Sequence, residues 1–125
     1  MSRRSIIITI NNNTASTLTL GNIDRTHGTD PVCTNPIYNA SSGTISAEDA
    51  KNYGPVATVQ YMVADTGGIY TISYNKPMTT GDTVVTVTPP TGYGYKCIAS
   101  DLQQKHSTCT YEFTNNPADA STCTS

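Results

Sequence analysis

Tryptophan is absent from this 125-residue chain and phenylalanine occurs once, at Phe113, so aromatic packing falls to eight tyrosines. Charge is scarce as well: 13% of residues are charged and the formal net charge is -2. Arg3-Arg4 is the only adjacent pair of Lys or Arg, which removes the electrostatic case for nucleic acid or an anionic membrane. No apolar run approaches the roughly 20 residues that a bilayer span requires. The apolar stretch Ser5 to Ile10 is too short for a signal peptide, and Asn11-Asn12-Asn13 end it without a small-residue cleavage site. A first strand is expected there instead. The chain then stays inside the cell, leaves by another route, or is already the mature form.

C-x-x-C spacing is missing too, which argues against zinc and thioredoxin-type chemistry. Cys33, Cys97, Cys109 and Cys123 form either two disulfides, with three pairings open, or remain free thiols. The signatures G-x-S-x-G, the Walker loop and H-E-x-x-H do not occur, and no cofactor is implied. His27, His106, Glu112 and Arg25 include acid-base types used by small ribonucleases, but nothing in their spacing makes them converge. The reading is therefore non-enzymatic.

What the chain has is period-two alternation. Val56 to Tyr74 reads as one long hairpin, with Val59, Tyr61 and Val63 on one face and Thr58, Gln60 and Met62 on the other. Tyr70, Ile72 and Tyr74 alternate in the same way, and Asp65-Thr66-Gly67-Gly68 supplies turn glycines. Ser5 to Ile10 and Ser16 to Leu20 predict a first hairpin turned by Asn11 to Asn13. Gly21 to Ser42 reads as a long surface loop with at most one short strand. Gly43 to Ala47 predicts a short strand, unless Ser46 to Lys51 winds one helical turn. Pro77 ends the central hairpin, Thr79 to Asp82 turn the chain, and Thr83 to Thr88 form a strand. Pro89-Pro90-Thr91-Gly92 stop it, and Tyr93 to Ser100 and Thr108 to Thr114 are the last strand pair. Residues 115–125 are expected to be mobile unless Cys123 pins them. About seven or eight short strands in one domain predict an all-β, two-sheet antiparallel sandwich.

With those strands placed, the order of motifs resembles the aegerolysins and the related small insecticidal crystal proteins, whose β-sandwich is shared with the actinoporins. The matching pieces are Ile6-Ile7-Ile8-Thr9-Ile10, Asn12-Asn13-Thr14, Leu18-Thr19-Leu20 and the His27-Gly28 loop. The Gly43 strand, Ala57 to Val63, Tyr70 to Tyr74 and Asn75-Lys76-Pro77 follow in order. The resemblance implies binding of particular membrane lipids, often sphingolipids, with a second, larger protein perforating the membrane. That would make the chain one component of a cytolytic or defensive system.

Three groups of residues are candidates for the contact. Tyr93-Gly94-Tyr95-Lys96 offers interfacial tyrosines and a cation for a lipid phosphate, or else packs the sandwich edge. Tyr53 and Tyr74 flank the central hairpin and are expected near the same end, where clustered rings suit a lipid headgroup or a sugar. Arg25 and His27, with Asp24 and Asp30, form a polar loop that suits a phosphate or sugar, or is simply solvated. A carbohydrate-binding lectin and a disulfide-bearing effector that binds a host protein are the competing functions.

Overall fold

The computed structural model describes residues 3–78 and 81–125; part of the expected turn from Thr79 to Asp82 lies outside them. Nine strands account for the regular structure, and no helix occurs among the described residues. They are β1 (Ser5–Asn13), β2 (Leu18–His27), β3 (Val32–Cys33), β4 (Ser42–Glu48) and β5 (Val56–Val63), then β6 (Ile69–Asn75), β7 (Val84–Thr88), β8 (Gly94–Asp101) and β9 (His106–Thr114). One sheet has the order β3-β4-β1-β9-β8 and the other β2-β5-β6-β7. The sheets face each other as a sandwich, as the alternation predicted.

The central strands turn one parity inward. Ile6, Ile8 and Ile10 of β1 meet Val59, Tyr61 and Val63 of β5 and Tyr70, Ile72 and Tyr74 of β6 in a single core. Tyrosine does here what larger aromatics do elsewhere, and a buried phenol needs a hydrogen-bond acceptor. Tyr61 donates to the Thr34 carbonyl (2.7 Å) and Tyr111 to that of Val85 (3.2 Å). Tyr70, stacked on Phe113 at 4.0 Å, donates to the Gly94 carbonyl (2.8 Å), with the Thr114 carbonyl at 3.1 Å. The Tyr74 hydroxyl alone is buried without a partner among the described residues.

Four expectations are corrected. First, β1 and β2 do not pair: β1 runs on through Asn13, and the chain then crosses to the other sheet. Asn12 is a buried corner post rather than a turn residue. It donates to the Ser16 and Ile37 carbonyls (2.7 and 2.9 Å) and accepts from the Thr14 amide and hydroxyl. Second, Gly21 to His27 is not loop but the exposed continuation of β2, with register shifts between Leu20 and Ile23 and between Arg25 and His27. Third, Ser46 to Lys51 does not wind into a helical turn. An isolated turn is marginal, whereas β4 has seven registered partners along β1, and Lys51 and Asn52 then turn the chain at φ 53° and 70°. Fourth, the sheets are not wholly antiparallel: β1 and β9 pair in parallel from Ser5↔His106 to Asn13↔Thr114. A parallel pair needs a long crossover, and here nearly the whole domain serves as one.

Residues 115–125 lie along β8, bonded through Tyr95 and Cys97 to Asp119 and Ser121. Cys123 is joined to Cys97 by a disulfide, while Cys33 and Cys109 are free.

Candidate functional site

Strand register assigns every loop to one of two ends. His27 pairs with Val56, Val56 with Asn75, and Asn75 with Val84, so the end of β2, the start of β5, the end of β6 and the start of β7 lie together. Ser5 pairs with Glu48 and His106, which brings the start of β1, the end of β4 and the β8–β9 loop to the same end. Arg3, Arg4, Arg25, Lys51, Lys76 and Lys105, six of the seven basic residues, gather there, together with both histidines. Acids are interspersed among them, chiefly Asp30, Glu48, Asp49 and Asp82.

Three clefts share walls at this end. The first, about 440 Å³, is bounded by Arg25, His27, Asp30, Lys51 and Tyr53. The second, about 360 Å³, lies on the other side of His27 and Tyr53, against Val56, Asn75, Pro77 and Met78. The third, about 640 Å³, continues from Lys76, Pro77 and Met78 to Arg4, Asp49 and Gln104. The divider between the first two is a flat plate: the rings of His27 and Tyr53 stack at 4.1 Å and 6°. Tyr53 remains 55% exposed, so its outer surface is open to a ligand. Arg25 reaches Asp30 (2.8 Å) and the Gly28 carbonyl (3.0 Å), which ties the first cleft's rim together; exposed as it is, the ion pair itself adds little stability.

Two glycines fix this geometry. At Gly54 a Cβ would meet the Lys76 carbonyl at 1.8 Å, and at Gly28, with φ +85°, it would meet Pro55 Cα at 2.6 Å. No side chain fits at either place, so the β2–β3 and β4–β5 loops close tightly over the sheet ends.

Of the residues the sequence nominated, the structure brings Arg25, His27 and Tyr53 together. It does not bring Tyr74 to them: that residue is 2% exposed and belongs to the core, because its parity follows Tyr70 and Ile72 inward. Nor do Tyr93, Tyr95 and Lys96 share an end with Tyr53. Gly94 pairs with Thr114, which places them at the far end. There Tyr93 is half-buried with its edge on Tyr70 (6.1 Å, 69°), and Tyr95 leans on Tyr111. Lys96 pairs with Glu112 at 3.1 Å, and that carboxylate's hydrogen bond and charge raise its pKa. The four acid-base types do not assemble: Glu112 holds Lys96, His27 stacks on Tyr53, and His106 Nδ1 lies 2.7 Å from the Ser5 hydroxyl.

Sequence reasoning missed Lys76. It continues the inward parity of Tyr70, Ile72 and Tyr74, a signal that was present, but Pro77 beside it drew the residue into a strand-breaking role. Burial pushes its pKa down, and Arg4 nearby acts in the same direction. Among the described residues no three metal-binding side chains cluster, and no helix is long and apolar enough to cross a membrane.

No protein-family model matches the sequence, and no curated protein matches it. The fold, in contrast, has solved counterparts. The lipid binding protein Nakanori superposes with a TM-score of 0.66 at 11% identity, over 91% of this chain and 71% of that one. IP-1A from Alcaligenes faecalis superposes with a TM-score of 0.64 at 13% identity, over 89% of each chain. The chain has a β-sandwich fold related to theirs. At these identities the likeness is one of fold.

Proposed function

We propose that this protein attaches to membrane lipid at the bilayer surface through its cleft end, as an aegerolysin-type component of a cytolytic or defensive system. The observation that carries this reading is the exposed His27–Tyr53 plate, set between two clefts at the end where the basic residues gather. Its likeness in fold to a lipid binding protein, Nakanori, supports it. An exposed tyrosine settles at the interface, its ring toward the acyl chains and its hydroxyl toward the headgroups. Arg25 and Lys51 beside it offer N–H donors to a headgroup phosphate. Attachment is superficial, and perforation falls to a larger partner.

Sedimentation with vesicles of defined headgroup tests this directly. Selective co-sedimentation, sphingomyelin vesicles included, is the expected result; absence from every vesicle type rejects the reading. A sugar-binding function is the second reading, favoured by the same flat plate beside the Arg25–Asp30 pair, because a sugar ring stacks its C–H face on tyrosine. Defined hits on a glycan array without vesicle binding would select it.

A further inference from the structure

The parity that buries Tyr70, Ile72 and Tyr74 also buries Lys76, whose side chain is 1% exposed. Its ammonium donates to the Gln104 carbonyl (2.5 Å) and to the Ser107 hydroxyl (2.6 Å). Ser107 in turn donates to the Leu102 carbonyl. Both acceptors of Lys76 are neutral, and an ammonium has three N–H bonds. The third finds no acceptor among the described residues, and Lys76 forms no ion pair there.

Burying a cation without a counter-charge is strongly unfavourable. The charge that acts on Lys76 most, after burial, is of its own sign: Arg4. Arg4 forms no ion pair among the described residues either, and the nearby Asp49 carboxylate accepts from the Arg4 backbone amide at 3.3 Å. Both cations line the third cleft, a cavity of about 640 Å³ whose wall also holds Lys105, Gln104 and the carboxylates of Asp49 and Asp82, so its lining carries three cations against two acids. Neither acid forms an ion pair with Lys76 or Arg4 among the described residues, and two like charges left facing one cavity are stabilised by an anion between them.

We infer that this cleft is an anion site, in which Lys76 and Arg4 hold a phosphate- or sulfate-type group. The buried ammonium supplies a pre-positioned donor from the floor. The Arg4 guanidinium supplies a planar fork from the rim, suited to two oxygens of a tetrahedral anion. The group is either the phosphate of a lipid headgroup or a free inorganic anion. Only the first source rests on the membrane-binding reading.

Thermal unfolding of the full chain, titrated with inorganic phosphate against sodium chloride at matched ionic strength, tests the site. Phosphate is expected to raise the Tm saturably. Arg4→Gln should raise the half-saturating phosphate concentration about tenfold, as for loss of one charge-assisted hydrogen bond. Lys76→Met, close in shape and uncharged, should abolish the phosphate response while leaving a cooperative transition. Identical curves in phosphate and chloride would overturn the inference, as would an Arg4→Gln response equal to that of the parent; this variant decides if Lys76→Met does not fold. Vesicle sedimentation is read separately. Competition by phosphate assigns the anion to a headgroup, and a phosphate response without competition assigns it to a free ion. Sedimentation without any phosphate response rejects the anion site alone. A phosphate response without sedimentation rejects the membrane reading alone.

Discussion

The two ends of the sandwich are built from the same materials, tyrosine, glycine, small polar residues and tight turns, yet they use them differently. At the far end Tyr70 gives its proton to backbone carbonyls, Tyr93 packs its edge against Tyr70, and the single cation, Lys96, is neutralised by Glu112. At the cleft end Tyr53 lies half in solvent, and neither Lys76 nor Arg4 forms an ion pair among the described residues. One end has its polar groups satisfied internally; the other leaves demands that an external group can meet. Unsatisfied groups of this kind cost stability and tend to persist at functional sites.

The largest test of this contrast uses a matched pair of glycines. A Cβ at Gly54 meets the Lys76 carbonyl at 1.8 Å, and one at Gly94 meets the Asn116 carbonyl at 2.0 Å. Gly54→Ala and Gly94→Ala should each cost about 3 kcal/mol in denaturant unfolding. Only Gly54→Ala should also weaken vesicle and phosphate binding in the protein that remains folded. Loss of binding in Gly94→Ala would show that the far end takes part.

A smaller effect comes from two phenols. Tyr70→Phe removes a satisfied donor and strands buried carbonyls, and should cost about 1.5 kcal/mol. Tyr74→Phe removes a buried hydroxyl that has no partner, and should leave stability unchanged or raised by up to about 1 kcal/mol. If Tyr74→Phe were the more damaging change, the Tyr74 hydroxyl would not be an unmet group of the core.

Least visible in stability is a pair of surface rings. Tyr53 at the cleft end and Tyr38 at the far end are comparably exposed, at 55% and 61%. Replacing either with Ala should change stability by about 0.5 kcal/mol or less. Tyr53→Ala should weaken vesicle sedimentation about tenfold, the effect of one interfacial aromatic, and Tyr38→Ala should not. Equal losses would abolish the distinction between the ends.

Much of this was legible from side-chain period. The inward sets Ile6-Ile8-Ile10, Val59-Tyr61-Val63 and Tyr70-Ile72-Tyr74 were read correctly, because alternation reports burial directly. Pairing is less legible: Leu18 alternates cleanly, yet period says nothing about which strand lies beside it, and β2 pairs with β5 rather than with the adjacent β1. The extension of β2 to His27 was hidden because that part of the strand is solvated on both faces. The separation of Tyr53 from Tyr93 was recoverable by counting. Three strands, β5, β6 and β7, lie between them, each reversing the chain, and an odd number of crossings leaves the two residues at opposite ends. The His27–Tyr53 stack was not recoverable, since it depends on how two loops close over Gly28 and Gly54.

The parallel seam between β1 and β9 has a consequence for synthesis. β1 waits for β9, so a nascent chain from which residues 106–114 have not yet emerged holds β4 on one flank of β1 and nothing on the other. Such a nascent chain offers the bare ladder of Ser5–Asn13 to any neighbour that can pair with it. Closure of this seam therefore waits for β9 to emerge and depends on contacts far apart in sequence.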